Sequence, residues 1–582
     1  MDSLLIANRG EIAVRIIRAA REMGLRTIAV YSELDRDALH VQLADEAWNI
    51  GPPPAAESYL DIERILGVAA DSGADAVHPG YGFLAENGDF AEAVIDAGLT
   101  WVGPPPEAIR TMGDKIRSRV AADAAGVKSV PGTMEPVTSA EEVAEFGAAN
   151  GFPIAIKAAH GGGGRGMKVI AAADAIPAAF DSARREAEAW FGNPAVYVER
   201  YLETPRHIEA QIIVDGDGNG VFLGERDCTM QRRHQKLVEE TPAVGLRDDV
   251  RAAIGRAALE VAAAADYSNA GTVEFLLDGE EDFYFLEMNT RLQVEHTVTE
   301  EVTGVDIVKE QLRVAAGLPL TCEDATPRGH AIEFRINAED PAAGFQPSPG
   351  TLVEYDEPGG PGVRVDGGVR AGSTISQYYD NLIAKLIVWG RDRDEALARG
   401  RRALEAFTIT GVPTTIPALL RIIDTPQFVN GTHYTSFVES ELDFTDLTPG
   451  TAPALPEDEE LAERSLTVEV GGKQFNVRFW APVMTPAAPG GQRAAPRRRP
   501  PKLDRSGAIG ETAGVLVAPM QGTIVKVHKK AGSSVKAGEA VCVLEAMKME
   551  NEITAPIGGE IVELRVQTGD TVASGSVLMV IR

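Results

Sequence analysis

The sequence predicts a multidomain chain, α/β and α+β over about its first 445 residues and an all-β sandwich at its C-terminal end. Three observations predict this. Strands and helices alternate over residues 1 to about 112. A strand, a glycine loop and a second strand come next, with a pair of acid-bearing strands downstream. The last seventy residues duplicate themselves at an offset of 37, which lays Ala518-Pro519-Met520-Gln521-Gly522 on Ala555-Pro556-Ile557-Gly558-Gly559. A chain of 582 residues has room for several domains and a large core.

Taken in order, Leu4–Ala7 reads as a strand, Glu11–Met23 as an amphipathic helix, and Arg26–Tyr31 and Asp75–His78 as further strands. That alternation predicts a parallel sheet covered by helices, placed in a first domain, 1–114. Residues 115–328 form an α+β domain. Residues 329–445 turn β-rich, with Gly-Gly turns at 359–360 and 367–368 and a helix over Arg393–Phe407. From 446 to 512 a Pro-, Ala-, Gly- and Arg-rich linker includes Arg497-Arg498-Arg499, and a hairpin near 466–480 interrupts it. Its strands are expected over Leu466–Val470 and Lys473–Trp480. Residues 513–582 form the terminal sandwich. The coil at 481–512 spans on the order of 30 Å root-mean-square and roughly 100 Å extended, enough for the terminal sandwich to swing between separate sites.

Composition narrows the function. A formal net charge of −30 argues against nucleic acid or an anionic membrane as the main partner. Cys228, Cys322 and Cys542 lie far apart without metal-ligand spacing and read as free thiols. The chain opens directly on a strand, with no basic leader, and no apolar run reaches membrane-spanning length, so a cytoplasmic protein is expected.

The chemistry concentrates in two places. Phe152–Ala159 and Met167–Ile170 read as strands around His160-Gly161-Gly162-Gly163-Gly164-Arg165-Gly166. A Walker loop or a dinucleotide turn would enter a helix, so neither fits. Side-chain-free residues let successive N–H groups close over phosphate oxygens, and Lys157 and Lys115 can add positive charge. Downstream, Thr272–Leu277 and Phe283–Asn289 are two apolar strands that each carry one carboxylate, Glu274 and Glu287. Two like charges in apolar surroundings call for a cation. Mg²⁺ or Mn²⁺ held by Glu274, Glu287 and Asn289 answers that need.

The second place is the duplication. Each half carries short alternating strands, Thr523–Val527 and Glu560–Leu564, cut by glycines, and two one-faced halves pack as a sandwich. Between them, at a hairpin turn, stands Glu545-Ala546-Met547-Lys548-Met549-Glu550-Asn551. A lysine on a rigid turn between two methionines is a handle for attachment. This segment resembles the biotinyl (carboxyl carrier) domain family, whose modified lysine lies in Ala-Met-Lys-Met. The lipoyl domain shares the duplicated sandwich but usually carries Asp-Lys-Ala. The resemblance implies covalent biotin on Lys548, attached by a biotin protein ligase.

Residues 1–445 resemble the ATP-grasp fold, and more narrowly the biotin carboxylase family. The matching stretches are Ile6-Ala7-Asn8-Arg9-Gly10-Glu11-Ile12-Ala13, His78 to Asn87, Met230-Gln231-Arg232-Arg233-His234-Gln235-Lys236, and Glu287 to His296. The resemblance implies ATP contacts from Lys115, Lys157, Gly163, Gly164, His207, His234 and Lys236, with Lys236 also catalytic. Glu199-Arg200-Tyr201-Leu202 corresponds to the hinge that receives adenine. His160 departs from the pattern, standing where related loops often carry another small residue. Bicarbonate needs a base and a cationic cradle. Glu295 would be the base, with Arg291, Gln293 and the Val294 N–H as the cradle, and Arg335 would steady the biotin enolate. An Arg291–Glu295 surface pair at i, i+4 is the competing structural reading.

A carboxylase and a carrier on one chain can charge biotin but not spend it. The chain is therefore expected to be the α subunit of an acyl-CoA carboxylase, in a hetero-oligomer with a separate carboxyltransferase β subunit that takes acetyl-, propionyl- or longer acyl-CoA. The hairpin at 466–480 is expected to help dock that subunit. The alternatives are a pyruvate carboxylase-type subunit, a non-catalytic biotin carrier and a different ATP-grasp ligase.

Overall fold

The computed structural model describes residues 1–447 except 134, 159–166, 192, 280 and 323–324, the backbone of 461–470 and 473–482, and residues 514–582 except 519–521, 547–548 and 573–575. The chain divides into two units, Met1–Gly450 and Thr451–Arg582.

The first unit opens on a five-stranded parallel sheet of β1 (Ser3–Ile6), β2 (Arg26–Tyr31), β3 (Glu46–Asn49), β4 (Ala76–His78) and β5 (Thr100–Trp101), in the order β3-β2-β1-β4-β5. After β1 comes α1 (Gly10–Glu22), which buries Ile12, Ala13, Ile16, Ile17 and Ala20 at helical spacing. The expected parallel sheet is present, with boundaries within a residue of those read from the sequence.

Next, β6 (Ile154–Ala158) lies between β7 (Met167–Ile170) and β8 (Val196–Arg200), antiparallel to both. The glycine loop joining β6 to β7, with His160, Gly163 and Gly164, lies outside the described residues.

The site rests on an eight-stranded antiparallel sheet. Its strands are β9 (Arg206–Val214), β10 (Gly220–Arg232), β11 (Gln235–Thr241), β12 (Asn269–Leu277), β13 (Phe283–Asn289), β14 (His330–Asn337), β15 (Val363–Gly367) and β16 (Leu382–Gly390). They run in the order β13-β12-β9-β10-β11-β14-β16-β15. Val238 of β11 pairs with Phe334 of β14, so one sheet crosses the expected boundary at 328/329. Ile208, Ala210 and Ile212 of β9 and Val273 and Phe275 of β12 pack against Ile254, Ala258 and Val261 of the helix Asp248–Ala264. Side chains alternate faces along a strand, so the residues between these point to the opposite side. That side carries the charged groups of the site.

In the second unit β17 (Leu461–Val470) and β18 (Lys473–Pro482) form the expected hairpin, longer at its open end than the predicted 466–480. The ladder continues through Glu463↔Trp480 and Ala462↔Ala481. A two-stranded ladder is made by backbone groups, and charged side chains such as Glu463 do not end it.

The terminal domain is two four-stranded sheets. One holds β19 (Val515–Val517), β21 (Ser534–Val535), β24 (Gly559–Leu564) and β26 (Val577–Ile581), in the order β19-β26-β24-β21. The other holds β20 (Gly522–Val527), β22 (Ala540–Ala546), β23 (Met549–Thr554) and β25 (Thr571–Val572), in the order β23-β22-β20-β25. Moving 37 residues along the chain turns the starts of β20, β21 and β22 into those of β24, β25 and β26. Exchanging the halves in this way converts one sheet order into the other, so the repeat is a pseudo-twofold sandwich. Its core is Ile524, Val541 and Leu544 with Ile561, Leu578 and Ile581. Lys548 falls between the paired ends of β22 and β23, Ala546↔Met549, and lies outside the described residues.

Candidate active site

Register pairing across β13, β12, β9 and β10 lines up Glu287, Glu274, Glu209 and Arg226 in one row. Three acids side by side are unfavourable without cations. The row is balanced from within. Arg226 is fully buried, and each of its five N–H donors is used. They go to Glu209, Gln211, Thr299, Thr272 and Gln293. Lys236, from β11, likewise divides its three protons among three acids: Glu209 at 2.6 Å, Glu274 at 3.0 Å and Glu295 at 2.5 Å.

Glu295 and Glu274 are both buried. Burial pushes the Glu295 carboxyl up, but Lys236, Arg335 and Arg226 outweigh it and hold the group below the ordinary carboxylate range. Arg335 approaches Glu295 to 2.8 Å and Glu239 to 2.5 Å. The Glu239 carboxyl goes the other way, pushed up to about 8 by burial despite Arg335. Glu274 is held low against its burial by Lys236 and by His207, whose Nε2 lies 2.8 Å away. The Nδ2 of Asn289 and the Nε2 of Gln293 each donate to it at 2.8 Å.

Glu287 differs from the expectation that both strand acids are buried. It is accessible on the sheet face, and its carboxyl is raised by desolvation in the cleft and by the neighbouring Glu274 charge. Among the described residues Glu287 has no ion-pair partner of its own, and carboxylate oxygens with an amide oxygen beside them suit a hard divalent cation. The residues fit magnesium.

Beyond β13 the chain runs through residues 290–295 into the helix His296–Thr303. In this loop three successive carbonyls accept from side chains: Leu292 from Arg291 at 3.2 Å, Gln293 from His296 Nδ1 at 2.7 Å, and Val294 from Lys385 at 2.9 Å. With its carbonyls drawn back, such a loop offers N–H groups to an anion. The Arg291 side chain spans Glu86, with Nε 3.0 Å from Oε2, and the Asn289 Oδ1, also 3.0 Å away. Arg291 and Glu295 therefore face different partners and are not a surface ion pair.

His207, Lys236, Glu274, Asn289, Arg291, Gln293, Glu295 and Arg335 thus form one set joined by ion pairs and hydrogen bonds, with Glu287 in register beside it. The remaining predicted nucleotide residues stand apart. Lys157 is ion-paired with Glu199, Arg200 donates to the Tyr284 hydroxyl at 3.2 Å, and the Tyr201 N–H donates to the Pro153 carbonyl, with Leu202 next along. Lys115 is exposed at the start of the helix Lys115–Ala124. His234 is exposed in the turn between β10 and β11, at φ +66°.

Sequence reasoning missed Glu86, Glu209, Arg226 and Glu239. For Glu209 a signal existed, since His207, Glu209 and Gln211 alternate through an otherwise apolar strand.

Four protein-family models match in sequence: biotin carboxylase, N-terminal domain, over 1–109; the carbamoyl-phosphate synthase L chain ATP-binding domain over 114–323; biotin carboxylase C-terminal domain over 333–440; and biotin-requiring enzyme over 514–581. The chain is 49% identical over 566 residues to the biotin-dependent acyl-coenzyme A carboxylase alpha3 subunit of Mycobacterium leprae, covering 95% of this chain and 94% of that one. The chain belongs to the biotin-dependent carboxylases. It combines the ATP-dependent biotin carboxylase fold with a biotin carrier domain, as the sequence predicted.

A pyruvate carboxylase subunit of Methanothermobacter thermautotrophicus is 49% identical over 465 residues, 80% of this chain and 94% of that one. Among solved structures, the biotin carboxylase domain of the Hydrogenobacter thermophilus 2-oxoglutarate carboxylase, in complex with MgADP, ADP and bicarbonate, superposes with a TM-score of 0.69 at 46% identity, covering 75% of this chain and 97% of that one. Among the described residues no helix is long and apolar enough to cross a membrane.

Proposed function

We propose that this carboxylase chain is the α subunit of an acyl-CoA carboxylase. It cleaves ATP in the presence of bicarbonate, carboxylates biotin held on Lys548, and hands the carboxyl group to a separate β subunit carrying acetyl-, propionyl- or a longer acyl-CoA. The observation that carries this reading is the similarity to the acyl-CoA carboxylase alpha3 subunit, which covers 95% of the chain, whereas the match to the pyruvate carboxylase protein covers 80%.

Each site residue has a role in this chemistry. Glu274, Glu287 and Asn289 would hold magnesium, which when bound orients the ATP phosphates and draws charge off the γ-phosphoryl group. Lys115, Lys157, His207 and His234, with the loop glycines Gly163 and Gly164, surround the nucleotide, and Glu199 to Leu202 line the adenine. Arg291, Gln293 and the Val294 N–H cradle bicarbonate, and Glu295 removes its proton. The carbonate oxygen attacks the γ-phosphorus, ADP leaves, and the resulting carboxyphosphate breaks down to CO₂ and phosphate. When bound, biotin would supply the urea nitrogen that takes up CO₂, its N–H proton passing to the phosphate released from carboxyphosphate, and Arg335 would steady the negative charge on the urea oxygen.

The ion pairs of the resting site give these steps an order. Glu295 is a weak base while Lys236 and Arg335 both pair with it. A phosphate oxygen that recruits Lys236, and a biotin ring that recruits Arg335, release the carboxylate and raise its basicity when the substrates are in place.

Co-purification of the chain with its partner, followed by carboxylation assays on acetyl-, propionyl- and longer acyl-CoA and on pyruvate, tests the reading. Turnover of pyruvate with no acyl-CoA carboxylated would replace it with the pyruvate carboxylase-type subunit.

A further inference from the structure

The bicarbonate loop is anchored by a residue to which the carboxylation chemistry gives no role. Lys385 sits in the middle of β16, in the apolar run Leu382-Ile383-Ala384-Lys385-Leu386-Ile387-Val388, and is completely buried. A buried ammonium is expensive unless it is paired and hydrogen-bonded. Its Nζ donates to the Val294 carbonyl at 2.9 Å and lies 3.3 Å from Oε2 of Glu11. Glu11 belongs to the first turn of α1, is itself buried, and among the described residues has Lys385 as its one ion-pair partner. The contact is held close from a second side, because a Cβ on Gly368 would lie 2.4 Å from the Glu11 nitrogen.

Lys385 therefore joins three parts of the unit: the N-terminal sheet through α1, the eight-stranded sheet through β16, and the loop through Val294. The Val294 carbonyl belongs to the planar peptide whose other end is the Glu295 nitrogen. Fixing that oxygen fixes the orientation of the peptide joining the bicarbonate-cradling Val294 to the base, Glu295. The Val294 N–H has no hydrogen-bond acceptor among the described residues. The Val294 residue is thus held by its oxygen with its donor unspent.

We propose that Lys385, with Glu11 as its counter-charge, is a positioning residue that sets the Val294–Glu295 peptide for bicarbonate. The proposal rests on the reading of Arg291, Gln293 and Val294 as the bicarbonate cradle.

The test uses the full chain and bicarbonate-dependent ATP cleavage with free biotin, read as separate KM values for bicarbonate and ATP. Lys385→Met keeps the apolar stem and removes the donor. Loss of one charge-assisted hydrogen bond predicts a rise of about 10- to 100-fold in the bicarbonate KM, with the ATP KM changed less than about twofold. Because Lys385→Met leaves Glu11 buried without its cation, Glu11→Gln/Lys385→Met is measured beside it. The double variant is expected to regain the melting temperature while the bicarbonate KM stays high. Recovery of both in the double variant, or an unchanged bicarbonate KM in folded Lys385→Met, overturns the proposal. Arg291→Ala separates the two layers. If Arg291→Ala raises the bicarbonate KM and Lys385→Met does not, the cradle stands and the positioning role falls. If neither does, both fall.

Discussion

Replacing Glu295 with glutamine changes one atom and removes the charge around which the resting site is arranged. The two carboxylate oxygens accept from Lys236 at 2.5 Å and Arg335 at 2.8 Å, both cations. An amide has one acceptor oxygen, so its NH₂ must face one of those cations, donor against donor. One charge-assisted hydrogen bond is lost, worth about 1.5–3 kcal/mol, while Lys236 keeps Glu209 and Glu274 and Arg335 keeps Glu239. Stability falls by a comparable amount, so a lower melting temperature is expected. The catalytic loss is separable from this. Removing a general base lowers turnover by about 10²- to 10⁴-fold, while slow ATP hydrolysis without bicarbonate, which needs no carbonate nucleophile, persists. The assay is ADP release with and without bicarbonate at saturating ATP, on protein shown to be folded by circular dichroism. Bicarbonate-dependent turnover within tenfold of the parent would refute Glu295 as the base.

Other perturbations give distinct outcomes. Glu287→Gln removes a carboxylate of the proposed metal site without touching the Lys236 cluster, so the magnesium concentration for half-maximal ATP cleavage should rise about tenfold or more with the fold intact, as read by magnesium titration. Glu11→Gln has a signed pH effect. Burial raises the Glu11 carboxyl to about 7, so the native state holds this proton more tightly than the unfolded chain. Glu11 then withdraws up to about 3 kcal/mol of stability as pH rises from about 4.5 through 7, and the glutamine variant should lose that slope in melting curves at pH 5 and pH 8. Ile524→Ala in the fully buried carrier core should cost about 2–5 kcal/mol, visible as earlier melting of the isolated transition of that domain. Lys548→Ala should leave the purified chain unable to shift with streptavidin on a gel.

What was legible in the sequence is what is written locally. The parallel sheet showed in the alternation of apolar strand and helix. The carrier showed because its repeat preserves spacing, so the starts of β20, β21 and β22 recur 37 residues on. The hairpin is longer than the span read from the sequence because its backbone ladder passes through Glu463 and Arg464, whose charges do not end it. The strand acids Glu274 and Glu287 were visible as charges in apolar runs, but which of them is buried depends on how strands pack.

The charge network was the part least open to sequence reading, for a physical reason. Its row joins Arg226, Glu209, Glu274 and Glu287 through the register of four strands, and no spacing along the chain encodes that register. Arg226 reads in sequence as one more basic residue in Glu225-Arg226-Asp227, yet it spends all five donors inside the protein. That commitment separates two kinds of cation in the site. Arg226 holds Glu209 in place and has no donor left for a ligand. Lys236 reaches Glu209 as well, and it meets Arg335 at Glu295, both from the partly exposed side; among the described residues Lys236 bonds only to carboxylates. Anionic ligands can compete for Lys236 and Arg335, and each ion pair they break frees Glu295 further. On the proposed reading of Glu295 as the base, such a site keeps that base suppressed until anionic substrates draw Lys236 and Arg335 away from it.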